Sequence, residues 1–296
     1  MAEISAKTVM ELRAKTNAGM MDCKKALAES EGDMDKAEDI LRKKGIVRMT
    51  GRTDRVSKEG TVNALMSSDG FIGVLVEVNC ETDFVSKNEG FRSFVGDITT
   101  HILSSSAADL DALLAEPYFG GKGSVDENVK AKGAETGENT MIRRFARFLS
   151  DSSSAVATYL HLGGRIGVMV EVSAGNAATL NADTFRALLK DLTMHIAAAN
   201  PEFLNRTEVP EENIAKEKAI YAESDRLKGK PEAAMQGILN GMLNKYFSQI
   251  CLLEQGFIKN PDQSIEDLVK ATGKELNDTI TIKRFARFAV GEELKA

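Results

Sequence analysis

Between residues 4 and 45 apolar side chains recur at helical spacings: Val9 and Leu12, then Ala26 and Leu27, then Ala37, Ile40 and Leu41. Asn17-Ala18-Gly19 and Glu31-Gly32-Asp33 interrupt the pattern, so three short helices are expected. Asp33 is placed to accept hydrogen bonds from the free amides of the third helix, and Gly45 to close that helix in the left-handed conformation. From Arg48 to Gly60 the chain is polar, mostly basic and without apolar period, which reads as a linker. The boundaries so drawn are a helical module over 1–46 and a linker over 47–59.

The remainder carries an internal repeat. Ile72-Gly73-Val74-Leu75-Val76-Glu77-Val78 returns, 94 residues on, as Ile166-Gly167-Val168-Met169-Val170-Glu171-Val172. The same offset carries Phe91-Arg92 onto Phe185-Arg186, Asp97 onto Asp191, Thr99 onto Thr193 and His101-Ile102 onto His195-Ile196. Each copy opens with a β-branched run suited to a buried strand and continues into an amphipathic helix, over 89–103 and 183–198. A later strand, Ile142-Arg143-Arg144-Phe145-Ala146-Arg147-Phe148, resembles Ile282-Lys283-Arg284-Phe285-Ala286-Arg287-Phe288 and would close each unit. The expected fold class is α+β, with two duplicated subdomains over 60–150 and 151–296.

The second copy is longer by 46 residues, since His195 to Arg284 spans 89 positions where His101 to Arg144 spans 43. Within that interval Ile214 to Leu227 and Glu232 to Lys245 look helical around Gly229-Lys230-Pro231. Ile214 and Tyr221 lie a heptad apart, and Ala234, Ile238 and Met242 stack at four-residue spacing. An antiparallel helical hairpin inserted at about 208–246 is expected. It could pair with a second copy or touch a partner, although one solvated face is the plainer account.

Between strand and helix the framework repeats but the turn does not. The first copy has Cys80-Glu81-Thr82-Asp83-Phe84-Val85-Ser86 where the second has Ala174-Gly175-Asn176-Ala177-Ala178-Thr179-Leu180. A Phe84 that merely plugged the core would call for a bulky counterpart, yet Ala178 stands there, which points to an exposed contact at Thr82, Asp83, Phe84 and Val85. The alternative is that Phe84 covers the end of its own helix. In the small module, adjacent Met20 and Met21 cannot both face one tiny core, so at least one should be exposed near Arg13 and Lys24; alternatively the pair caps that core. His101 and His195 are repeat-equivalent and read as structural. His161 follows the apolar strand Ala155-Val156-Ala157-Thr158-Tyr159-Leu160 and precedes Gly163-Gly164, which puts it at a strand end near the surface.

Composition narrows the chemistry. A formal charge of −6 and a pI near 5.4 give no overall pull towards nucleic acid or anionic membranes. Cys23, Cys80 and Cys251 are odd in number and lack metal-ligand spacing, which suits a reducing compartment, the cytoplasm, and no zinc. Glu3 and Lys7 stand where a signal peptide needs an apolar stretch, and no run is long enough to span a bilayer, so neither export nor membrane insertion is expected. Gly120-Gly121-Lys122-Gly123-Ser124 fails as a phosphate loop because Glu116 and Gly123 occupy the deciding places. With no nucleophile, zinc or dinucleotide motif, neither an enzyme nor a cofactor is expected.

Leu12-Arg13-Ala14-Lys15-Thr16-Asn17-Ala18-Gly19-Met20-Met21-Asp22-Cys23-Lys24-Lys25-Ala26-Leu27, then Val76-Glu77-Val78-Asn79-Cys80-Glu81-Thr82-Asp83-Phe84-Val85, followed by Gly164-Arg165-Ile166-Gly167-Val168, resemble the translation elongation factor Ts family over nearly the whole chain. The resemblance implies a ubiquitin-associated-like N-terminal module, a duplicated core that binds elongation factor Tu, and a coiled-coil hairpin in the second subdomain. It implies guanine-nucleotide exchange: Asp83 and Phe84, with Thr82 and Val85 holding the turn, would wedge against the GTPase domain of Tu·GDP and disturb its magnesium site, letting GTP replace GDP. Arg13, Met20, Met21 and Lys24 would dock the module on the same domain, and His161 would touch another. The chain itself would bind no nucleotide, and family members differ on whether a homodimer or 2:2 complex forms. Asn17 stands where many members have glycine, and the sequence given ends soon after Val290-Gly291-Glu292, without the longer C-terminal helix that some members carry. The competing reading is a passive protein-binding adaptor or chaperone without exchange activity.

Overall fold

Val9, Leu12, Cys23, Ala26, Leu27, Ala37 and Leu41 meet in one small core contributed by α1 (Ala6–Thr16), α2 (Met20–Glu29) and α3 (Met34–Thr50). The computed structural model describes residues 4–16, 18–50, 56–224 and 230–294; Asn17, residues 51–55 of the expected linker and residues 225–229 of the expected hairpin lie outside the described residues. Asp33 accepts from the Lys36 amide at 3.0 Å, as expected of the residue before α3. Gly45 departs from expectation. It lies inside α3, which runs on to Thr50 and takes up the first residues assigned to the linker. Packing explains its glycine instead: a Cβ there would sit 2.9 Å from the Cβ of Ala134, so the bare backbone lets α3 cross a core helix closely.

The first core unit runs β1 (Glu59–Met66), β2 (Ile72–Cys80), α4 (Asp83–Lys87), α5 (Glu89–Ser104), α6 (Leu110–Ala115), α7 (Val125–Thr136) and β3 (Met141–Leu149). The second runs β4 (Ser154–His161), β5 (Ile166–Ala174), α8 (Asp183–Ala199), α9 (Glu211–Ala222), α10 (Glu232–Ile250), β6 (Gly256–Phe257), β7 (Asn260–Ser264), α11 (Ile265–Glu275) and β8 (Ile280–Ala289). Each unit builds an antiparallel three-stranded sheet, β1-β2-β3 or β4-β5-β8, with the repeated Ile-Gly-Val strand at its centre. That strand reads as a continuous apolar run because both faces are covered. Val74, Val76 and Val78 pack towards α5, while Leu75 faces the other sheet, where Val62, Phe148, Val156, Met169 and Phe288 close the seam.

The two units pack about a pseudo-twofold axis. A Cβ on Gly73 would meet Val156 and Met169, and one on Gly167 would meet Val62 and Leu75, which are the same positions 94 residues apart. The Arg144 guanidinium lies 4.2 Å from the Phe288 ring and that of Arg284 lies 4.2 Å from Phe148. Arg144 also binds buried Glu77 at 2.8 Å, and Arg284 binds Glu171 at 2.7 Å. The chain end breaks the symmetry: Glu292 pairs with Arg144 at 2.6 Å and Arg287 at 3.2 Å, and the Gly291 amide donates to Glu77 at 2.9 Å.

The inserted hairpin is present as α9 and α10, but its seam lies elsewhere than the four-residue stack suggests. Ala234 is exposed and Ile238 and Met242 are half-buried, whereas Leu243, Phe247 and Ile250 are buried with Val209 against Ile214 and Tyr221. The buried seam therefore sits at the root, where α10 runs five residues past the expected end at Lys245 to rejoin the body at Cys251.

Candidate functional site

The turn after β2 is built from its caps. Thr82 is extended, with φ −125° and ψ 157°, and its side chain accepts from the Val85 amide as the N-cap of α4. Asp83 follows in the first turn, where a carboxylate suits the positive helix end, and the Lys87 ammonium 2.7 Å away holds it below the usual carboxylate range. Val85 packs onto the first core and Ser86 is buried, its hydroxyl donating to the Asp83 carbonyl at 3.0 Å. Phe84, between them, points outward and is 84% exposed. The alternative that it covers its own helix end does not hold.

The opposing rim comes from the second unit. His161 is the last residue of β4, exposed, with Nδ1 3.1 Å from the Tyr159 hydroxyl. Leu162, Gly163 and Gly164 follow with φ of 50°, 65° and 94°. At Gly164 a Cβ would collide with the Thr61 hydroxyl, and its carbonyl accepts from the Val62 amide at 2.7 Å, so this turn is fixed to β1. Because Glu59 of β1 pairs with Cys80 of β2, the two turns arrive at one end of the molecule. They flank a cleft of about 330 Å³, with Asp83, Ser86 and Lys87 on one side and Leu162, Gly163 and Arg165 on the other. Leu162, 70% exposed, was not foreseen as a surface residue; its place before two glycines is the only local signal.

In the small module Arg13, Met20, Met21 and Lys24 are all exposed, the methionines by 46% and 64%. They do not cap the core, which Leu12, Cys23, Ala26 and Leu27 close without them. Met10, 62% exposed and one turn before Arg13 on α1, adds an apolar residue that sequence reasoning missed. The module meets the core at the Gly-rich loop: the Lys122 carbonyl accepts from the Arg42 guanidinium and, at 3.1 Å, from Asn128, while Ser124 caps α7 in a capping box with Glu127. Between α2, α3 and the core lies a larger cleft of about 670 Å³, bordered by Gly19 and Asp22 beside the methionine pair.

Other titratable groups are turned to structure. His101 and His195 occupy matching places, the first 3.1 Å from Glu116 and the second 3.0 Å from Gln255. Burial, and then the negative charges of Glu138 and Glu59, push the Cys80 thiol up to about 12, which suppresses its nucleophilic thiolate. Burial likewise pushes Cys251 up to about 11. Among the described residues no group of three or more His, Cys, Asp or Glu could hold a metal ion, and no helix is long and apolar enough to cross a membrane.

Comparison with known proteins adds three findings. A family model described as elongation factor TS matches residues 81–292. Elongation factor Ts of Trichlorobacter lovleyi is 42% identical over 293 residues, 99% of this chain and 94% of the relative. The proteins of the same name from Syntrophotalea carbinolica and Clostridium perfringens are 45% and 43% identical, over 99% of this chain and 95% and 94% of theirs.

Proposed function

Since the chain belongs to the elongation factor Ts family, we propose that it is the guanine-nucleotide exchange factor of a cytoplasmic elongation factor Tu. It binds the Tu·GDP complex and presses Asp83 and Phe84 against the GTPase domain. This disturbs the magnesium and phosphate site, so that GDP leaves and GTP enters. Thr82 and Val85 hold the pressing turn, Arg13, Met20, Met21 and Lys24 dock the small module on the same domain, and His161 touches a second domain. The chain itself binds no nucleotide and catalyses no covalent step.

The observation that supports this most is Phe84, 84% exposed on a five-residue helix whose repeat counterpart offers only Ala178. Burying such a ring in a partner contributes about 1.5–3 kcal/mol. Linkage then does the rest: a factor that weakens GDP binding is itself weakened by GDP to the same extent, so exchange needs no catalytic group. Release of a fluorescent GDP analogue from elongation factor Tu tests it. The chain should accelerate release and Phe84→Ala should lose most of that acceleration. Binding without any acceleration by the unchanged chain would leave the passive adaptor as the better reading.

A further inference from the structure

One side chain is tied to the turn from a distant part of the sequence. Glu138, between α7 and β3, accepts the backbone N–H of Glu81 at 3.0 Å and of Thr82 at 2.9 Å on one carboxylate oxygen. Its other oxygen accepts the Thr82 hydroxyl. The clasp is returned, because the Asn139 amide donates to the Glu81 carboxylate at 2.7 Å. Because the Thr82 hydroxyl donates its hydrogen bond to Glu138, its lone pairs are left for the Val85 amide, 3.5 Å away, which starts α4. A helix as short as α4 has no stability of its own, so whatever fixes its cap fixes the direction of Phe84.

We infer that Glu138 is a positioning residue for nucleotide exchange: its carboxylate preorganises the Thr82 cap, so that α4 holds Phe84 outward before the partner arrives. The inference rests on the reading of Phe84 given above. The second copy supplies an internal comparison. Asp278, matching Glu138 at the offset that relates β3 to β8, accepts the Asn176 amide at 3.0 Å and the Thr179 hydroxyl at 2.6 Å. That carboxylate anchors a turn with Ala178 in the place of Phe84. A merely structural anchor predicts equal consequences at the two sites; a positioning residue predicts unequal ones.

The experiment measures GDP release from elongation factor Tu across a range of concentrations of the full chain and of Glu138→Ala, Asp278→Ala and Phe84→Ala. Glu138→Ala should lower the maximal release rate by about tenfold or more, the scale of losing hydrogen bonds to a charged group, while the half-saturating concentration moves far less. Hydrogen exchange at the Thr82 and Val85 amides of the free chain should quicken in the same variant. Asp278→Ala should lower the melting temperature comparably yet keep the full release rate. Equal loss of release from both anchors overturns the inference, as does a full rate in Glu138→Ala when Phe84→Ala is impaired. A full rate in Phe84→Ala would instead refute the reading of the turn, and this inference with it. Should Glu138→Ala fold poorly, the isosteric Glu138→Gln, which deprives the Thr82 hydroxyl of its acceptor, carries the same comparison, and a full rate there overturns the inference.

Discussion

Gly73→Ala probes whether the two repeats are held by the close approach of their sheets. An added Cβ would lie 2.6 Å from Val156 Cγ1 and 2.8 Å from Met169 Sδ, about 1 Å inside the separation at which carbon atoms attract. Two effects oppose each other. Alanine restricts the unfolded chain and by that alone stabilises by about 0.4–1 kcal/mol, whereas an extra methyl in a filled core costs about 1–3 kcal/mol. The Met169 thioether can swing away, but β-branched Val156 is stiff and buried, so overpacking wins by about 1–2 kcal/mol. Urea unfolding reads this as a lower midpoint at constant slope. Val156→Ala makes room for the new methyl, so the double variant should be more stable than the sum of the two single losses by about 1 kcal/mol. Strict additivity, or no loss in Gly73→Ala, would refute the close seam.

Three further outcomes follow from buried or closely packed groups. His195 donates from Nε2 to Gln255 and accepts the Ile258 amide on Nδ1 at 3.3 Å, so a second proton would face a donor, and burial lowers its pKa. The folded state thus keeps the ring neutral, and the stability this contributes is complete above the unfolded pKa of about 6.5 and lost as pH falls towards the lower folded value. The urea midpoint should drop more between pH 7.5 and 5.5 in the unaltered chain than in His195→Gln, and parallel curves would refute the assignment. Cys80, held as a thiol up to a pKa of about 12, should resist alkylation near pH 8 until the chain unfolds; rapid native labelling at that residue would contradict it. Gly45→Leu should push α3 off Ala134 and raise hydrogen exchange along residues 125–136 with the melting of the sheets unchanged, whereas full protection there would disprove the contact.

What was legible in the sequence is what repeats or what has a local period. Two strands buried on both faces read as apolar runs, and their common offset exposed the duplication. The turn stood out because its copy is bland. Gly45 misled because a glycine after a helical run closes many helices, and only Ala134, far along the chain, shows that this one serves a crossing. The seam of α10 was misplaced for a related reason: Ala234, Ile238 and Met242 satisfy the period as well as Leu243, Phe247 and Ile250, and only the body beneath the hairpin root selects the latter. Glu138 gave no local signal, since an acidic residue after a helix looks solvated until Thr82 is placed beside it.

The duplication also accounts for how an exposed aromatic ring can be held still on so short a helix. A single sheet with one helix would leave the β2–α4 turn at a free edge. Here β1 carries the turn's neighbour Glu59 on one end and donates from Thr61 and Val62 to the Gly164 carbonyl of the second unit, while the Arg165 side chain pairs back with Glu59. Both rims of the cleft are therefore fixed to one strand, whose Val62 packs against the second sheet so closely that a Cβ on Gly167 would collide with it. Symmetry supplies the frame, and its two equivalent turns lie at opposite ends: Phe84 is displayed beside the His161–Gly164 turn, whereas Ala178 follows the far end of β5, where Ser173 pairs with Ser154. The turn that displays Phe84 is thus backed by strands of both units, as the exchange reading proposed above requires of it.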